Sequence, residues 1–542
     1  MEAGTTTLSE RAIAPLEAGF DPCLPTPPND AERDSYFVRH AWLVMSLSIV
    51  AFVGLIVSSL HFALGSTSVL PYLLAVLFTG SYFLVALSVS AFTRSANKGE
   101  HFARVEIYGG PWPSVDVLLP ICGEPIEILR NTWHHVSQLE YEGALAAYVL
   151  DDKPNDEHRA LAESYGFRYL TRPNPGWFKK AGNLKYGYEN SNGDLVAILD
   201  ADFCPRRDYL RHIVPYFEEP KLGIVQTPQF FRVDPGQSWL QRGAGAVQEF
   251  FYRFIQTSRD HHDGAICVGT CAIYRREALD DNGGTTLIEH SEDVHTGFDL
   301  KAAGWSLRYV PVNLATGICP DEIEAFFRQQ YRWCAGSMSL LRSKKFWQTP
   351  LPLLTRLCYM SGFFYYSYTA LWTFIGPAIP LILLLAFPEK IHLANYFILL
   401  PALIYDYVIF PLWHRSRYRL EVWSVRRIFG WAHAFAITDT LRGRPMGWTP
   451  TGTRANSGNQ VRVWKALYPL WGGATICLWL GIALYRGATM GWIDFLPMLL
   501  LGVVYAIAIL RIYQPTGGTD EMHAPNLALE PVVEGLEPVV EG

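Results

Sequence analysis

The sequence predicts an α/β domain inserted in an α-helical multi-pass membrane domain of about six spans. Three observations lead there. Half of the 542 residues are hydrophobic and only 18% are charged, where a soluble enzyme carries about 25%. Apolar runs of membrane length lie toward both ends of the chain, with a polar interval between them. Within that interval, short apolar strands alternate with polar helical stretches.

A helix needs roughly 20 apolar residues to cross the hydrocarbon core. Runs at 42–64 and 69–92 meet this with no Asp, Glu, Lys or Arg and form a hairpin, 41–92. Four more follow at 357–387, 391–413, 466–485 and 488–510. The segment 414–465 holds Arg415, Arg417, Arg419, Arg426, Arg427, Arg442, Arg444, Arg454, Arg462 and Lys465, whereas the opposite turns hold only Lys390 and Arg486. The positive-inside rule therefore puts the N-terminus, the central block and the 414–465 loop in the cytosol.

Strand signals at 115–120, 146–150, 195–199 and 223–226 make residues 113–345 an α/β unit. A mainly parallel sheet is expected, with its ligand at the strand C-termini. Residues 1–40, polar and rich in proline, are expected to be disordered, and the first apolar run comes too late for a cleaved signal peptide. Residues 350–512 form the second membrane region. Within it, 420–440 reads as an amphipathic interfacial helix, with Trp423, Arg426, Arg427, Phe429 and Trp431. The acidic tail, 513–542, repeats LEPVVEG in tandem and is expected to be disordered. A net charge of −6 gives no basic field for nucleic acid. Nine cysteines without a CxxC pair suggest neither a disulfide framework nor a zinc site.

Five segments carry chemistry. Asp200-Ala201-Asp202 ends an apolar strand. Residues i and i+2 of an extended chain point the same way, so two carboxylates can hold a hard divalent cation and a diphosphate. A solvated loop is the plain alternative for a bare DxD. Asp151 and Asp152 also end a strand. They suit the hydrogen-bond donors of uracil or ribose, or a helix N-cap, and the residues alone do not decide. Lys180, in Lys179–Asn183 at a helix start, suits phosphate, or is an ordinary surface cation. Asp293, in Glu289–Gly297, is a carboxylate apart from the DxD pair and suits a general base, though a helix cap is the simpler reading of that segment alone. Gln329, Arg332 and Trp333 precede the third span. An indole can stack on a sugar and a guanidinium can pair with diphosphate, or the two are an interfacial anchor.

Taken in order, these segments resemble the processive family 2 glycosyltransferases, above all bacterial cellulose synthase catalytic subunits. Hyaluronan and chitin synthases share the plan. The family's D, D, D, QxxRW signature matches Asp152 with Asp151, Asp200 with Asp202, Asp293, and Gln329, Arg332 and Trp333. Its KAGN matches Lys180–Asn183, and its QTPxFF matches Gln226, Thr227, Pro228, Phe230 and Phe231. The resemblance implies a cytosolic GT-A domain, a UDP-sugar donor (UDP-glucose favoured), and Mg²⁺ or Mn²⁺ held by Asp200 and Asp202. It implies Asp293 as base, Trp333 at the acceptor site, and a growing β-glycan that leaves through the chain's own helices in the plasma membrane. Membrane lipid is a further partner. A UDP-N-acetylglucosamine polymerase and a non-processive enzyme with a lipid acceptor are the alternatives.

The sequence departs from the family in three places. Ser291 replaces the first residue of the family's TED. The gating-loop position, within 446–462, reads Met446–Arg454 rather than FxVTxK. The roughly 30 residues after the last span are too few for a PilZ domain, so no direct cyclic-di-GMP control is expected. Asp406, inside the span 391–413, either lines the glycan path or bonds a neighbouring helix.

Overall fold

The computed structural model describes residues 6–7, 24–38, 41–64, 70–90, 96–443 and 459–516. Its centre is a seven-stranded sheet. The strands are β1 (Val115–Ile121), β2 (Leu145–Asp151), β3 (Arg168–Leu170), β4 (Leu195–Ile198), β5 (Leu222–Gln226), β6 (Ala272–Arg275) and β7 (Ser306–Tyr309), in spatial order β7-β5-β6-β4-β1-β2-β3. All seven residues of β1 are buried. That is the pattern of a strand covered on both faces, and its near-continuous apolar run reflects it.

The sheet is mixed rather than simply parallel. β1 pairs in parallel with β2 and β4, but β6 runs antiparallel to both β4 and β5. This reversal matters for the site. It brings the start of β6, Gly269–Cys271, to the edge where β1, β2 and β4 end, and the Cys271 N–H donates to the Ile198 carbonyl at 3.0 Å.

Among the described residues, five helices are long and apolar enough to cross a membrane. They are α1 (Ala41–Leu64), α2 (Leu70–Ser90), then, beyond the α/β block, a 34-residue helix (Leu353–Ala386), a 32-residue one (Asn459–Met490) and Trp492–Leu510. The sixth expected span, 391–413, is not one helix. It divides into a 3₁₀ segment, Leu393–Ile398, short α segments Leu400–Ile404 and Phe410–Trp413, and a π turn, Tyr405–Ile409, between them. Pro401 and Pro411 each remove a backbone donor. Residues 400–413, at about 1.5 Å each, reach only about 21 Å of the ~30 Å core. Asp406 sits in the π turn, half-buried, with Arg426 as its charged neighbour.

Two further expectations change. Residues 24–38 are ordered against the α/β domain. Glu32 pairs with Arg232 at 2.7 Å, Asp30 with Arg206 at 2.9 Å, and Asn313 donates to the Glu32 carbonyl at 2.8 Å. A proline-rich segment with no apolar periodicity is held here by charge matching and backbone bonds. The segment 420–440 is helical, Glu421–Arg442, but its apolar residues Val422, Val425, Ile428, Phe429 and Trp431 are buried by protein. Gly430 lies against Thr373, and Trp431 packs on Phe374 with ring centroids 4.9 Å apart. The gating-loop-like stretch 446–458 and the tail from 517 lie outside the described residues.

Glu249 ties the α/β block to the membrane region. Only 2% exposed, it accepts from Arg253 at 2.7 Å, from the Arg415 and Ser416 N–H groups at 2.7 and 2.8 Å, and from the Ser416 hydroxyl at 2.6 Å. Glu249→Ala leaves a buried guanidinium and two backbone donors without their acceptor. We expect a loss of about 3–5 kcal/mol, read as a lowered thermal midpoint of the detergent-purified chain.

Candidate active site

Loops from β1, β2, β4 and β6 meet the starts of two helices and the middle of a third at one edge of the sheet. These are α3 (Lys179–Glu189), α4 (Glu292–Ala302) and α5 (Ile323–Arg342). Asp200 follows β4, and its N–H donates to the Thr270 hydroxyl at 2.9 Å. Lys180, in the first turn of α3, forms an ion pair with Asp200 and stands 3.9 Å from Glu292. Asp293 begins α4 beside Gly269. A side chain at 269 would come within 2.8 Å of the Asp293 carboxylate, and the residue has φ +87°, so the close approach requires glycine.

The motif Gln226–Phe231 builds the loop that carries Thr270 and Gly269. The Gln226 amide donates to the Thr270 carbonyl at 2.8 Å and accepts from the Val268 N–H at 2.9 Å. Gln229 donates to the Val268 carbonyl at 2.7 Å. Gly336 of α5 lies directly against Ser291, so α5 sits tight on the start of α4. That places Arg332 within electrostatic reach of Glu292, Asp200 and Asp202. Arg332, Trp333 and Gln329 are half-buried on α5.

The cluster is short of positive charge. Burial, with Asp200 adding, pushes Asp202 up to about 7. Burial, with Glu292 adding, pushes Asp293 up to about 7, and burial raises Glu292 as well. Burial opposes the Lys180 ammonium, but Asp200 and Glu292 outweigh it and raise its pKa. Burial brings Arg332 down to about 10 despite the pull of Glu292. A carboxylate near 7 can take up or release a proton at working pH.

Asp151 and Asp152, for which the sequence leaves donor binding and a helix cap open, both have partners within the chain. Asp151 accepts from the Lys153 N–H at 2.8 Å, from Tyr169 at 2.7 Å, and lies 2.9 Å from His158. Asp152 accepts from Arg172 at 2.5 and 2.7 Å and from the Gly176 N–H at 3.1 Å on both oxygens. A carboxylate offers about four acceptor positions, so Asp152 is filled from within. Asp151 accepts from an N–H two residues on, as a cap does, and both carboxylates brace the chain from within. Glu124, by contrast, was missed. It is half-buried after β1, the N–H of Cys122, two residues before it, donates to its carboxylate at 2.6 Å, and desolvation raises its pKa, with Asp200 and Asp151 adding. The sequence signal was present, an apolar strand running into an acid. Thr270 had none, because an antiparallel strand delivers it.

Among the described residues no group of three or more His, Cys, Asp or Glu forms a metal cluster. Asp200 and Asp202 offer two hard oxygen ligands, which fits a divalent cation whose remaining positions belong to water and phosphate.

Residues 195–409 match the model of glycosyl transferase family group 2. Among curated relatives, the UDP-forming cellulose synthase catalytic subunit of Xanthomonas axonopodis pv. citri (strain 306) is 32% identical over 263 residues, covering 47% of this chain and 36% of that protein. The UDP-forming cellulose synthase 1 catalytic subunit of Komagataeibacter xylinus is 33% identical over 257 residues, 46% of this chain and 34% of its own. The chain thus spans about a third of the length of these relatives. A mannosyltransferase from Pyrobaculum calidifontis, solved with GDP-Man and Mn²⁺, is 15% identical with a TM-score of 0.40, covering 81% of this chain and 99% of its own, too slight a likeness to carry weight. The matched stretch, which holds β4 to β7 of the mixed sheet, is similar to the family 2 glycosyltransferases. Its sequence is cellulose-synthase-like, at about 30% identity over half the chain.

The raised acids set a stability prediction. Between about pH 4 and 7, Asp202 and Asp293 keep protons in the folded state that the unfolded chain has lost. Folding stability therefore falls as pH rises through that window, and the loss is complete above it. Asp202→Asn removes one of these charges. It should raise the thermal midpoint at pH 8 by about 2–4 °C, the response to roughly 1 kcal/mol in a domain of this size. It should also flatten the dependence between pH 5 and 7.

Proposed function

We propose that this chain is a processive inverting glycosyltransferase that polymerises a β-linked glycan from UDP-glucose and passes it across the membrane. The supporting observation is the meeting of Asp200, Asp202, Lys180 and Asp293 at one sheet edge, beside a helix that carries Gln329, Arg332 and Trp333 and leads, through the short helix Lys344–Gln348, to Leu353–Ala386. Asp293 takes the proton from the acceptor hydroxyl as that oxygen attacks the anomeric carbon. The bond to the diphosphate breaks, and UDP departs. Lys180 and Arg332 face the departing phosphates, and Trp333 offers its ring to the acceptor sugar. A divalent ion, Mg²⁺ or Mn²⁺, on Asp200 and Asp202 supplies charge neutralisation to the diphosphate. The positive-inside bias supports a cytosolic site in the plasma membrane, where the donor is available.

Purified protein given radiolabelled UDP-glucose or UDP-N-acetylglucosamine with Mn²⁺ tests this. We expect high-molecular-weight product from UDP-glucose, and a rate lowered roughly 10²–10⁴-fold by Asp293→Asn. Short or lipid-linked product alone would overturn processivity, and product from UDP-N-acetylglucosamine alone would overturn the donor. Equal rates in the two chains would remove Asp293 as base.

A further inference from the structure

Arg172 reaches four acceptors from a single buried position, 4% exposed. Its Nε donates to Asp152 at 2.5 Å, and its Nη2 donates to Asp152 at 2.7 Å and to the Lys179 carbonyl at 3.2 Å. Its Nη1 donates to the Trp177 carbonyl. The two carbonyls bracket an unusual stretch of backbone. Phe178 and Lys179 are successive non-glycine residues in the left-handed region, φ 49° and 50°. L residues adopt that conformation only where surrounding contacts hold them. Asp152 grips the other side of the loop through the Gly176 N–H.

The next residue is Lys180, the cation of the acid cluster. The first turn of α3 presses on the same clamp. A side chain at Gly182 would collide with the Trp177 carbonyl and the Arg172 guanidinium. Arg172, Asp152 and the left-handed pair therefore decide where α3 starts, and so where the Lys180 ammonium comes to rest.

We propose that Arg172 is the positioning residue that sets Lys180 for the donor's diphosphate, with Asp152 acting through Arg172. This rests on the transferase reading above. Lysine cannot replace the guanidinium. A planar fork spans a carboxylate and two carbonyls at once, and an ammonium is a point charge on a flexible stem. Asp152 thus bears on the nucleotide site without an open acceptor of its own.

A double-mutant cycle separates this role from general support of the fold. UDP binding with Mn²⁺ is measured by calorimetry on the full chain in detergent, for the parent, Arg172→Lys, Lys180→Ala and the double variant. Arg172→Lys is expected to weaken UDP roughly tenfold in the parent but less than about twofold in the Lys180→Ala background, because the two residues act through one contact. An equal loss in both backgrounds, or none in the parent, overturns the proposal. Hydrogen exchange without nucleotide gives the second readout. Faster exchange over 174–183 in Arg172→Lys, with 115–121 unchanged, supports it, and unchanged exchange over 174–183 overturns it. A parent chain that binds no UDP defeats the transferase reading itself, and the exchange readout then decides alone whether Arg172 holds the loop.

Discussion

Four carboxylates, Asp200, Asp202, Glu292 and Asp293, act on one another at the sheet edge with Lys180 and Arg332 as their cations. Like charges gathered away from water oppose folding, so the rest of the domain has to hold them there. The rigid sheet fixes Asp200 and Asp202 at the end of β4. The loop before β6 supports Asp200 through Thr270 and admits Asp293 through Gly269. The unfavourable charge favours a positive ligand, and under the proposed function a divalent ion carrying a nucleotide diphosphate would relieve it.

The supports lie outside the acids themselves. Gln226 and Gln229 brace the loop before β6, and Arg172 braces the loop before α3. The contact of Gly336 with Ser291 seats α5 on α4. Each support is a buried polar bond or a glycine-dependent approach, and so is intolerant of small changes. Glu249 then fixes this assembly to the segment after the short apolar helix, where two main-chain donors end on its carboxylate. The catalytic block is joined to the membrane region by hydrogen bonds as well as by apolar packing.

Much of this was legible in the sequence. The strands at 115–120, 146–150, 195–199 and 223–226 appear where the apolar runs place them, because strands buried on both faces must be continuously apolar. Asp200, Asp202, Lys180, Asp293 and Arg332 come together as their order suggested. What failed was information that lives in partners. No pattern within residues 24–38 reveals that Arg206 and Arg232 await Asp30 and Glu32. The four residues of β6 carry no direction, so its reversal and the arrival of Thr270 were invisible. For Asp152 the residues leave a donor contact and a helix cap open, and nothing in them shows the claim that Arg172, twenty positions later, has on it. The amphipathic pattern of 421–442 fits lipid or protein equally, and only packing chose protein.

The central claim is that the half-buried pair Asp200 and Asp202 completes its charge balance with a metal and a nucleotide together. Thermal unfolding of the purified chain with Mn²⁺ alone, UDP alone and both tests it most directly, since a ligand that binds only the folded state raises its midpoint. The account predicts that the two together raise the midpoint by more than the sum of their separate effects, and that Asp200→Asn abolishes the excess. An equal rise with UDP alone, or an excess that survives Asp200→Asn, would contradict it.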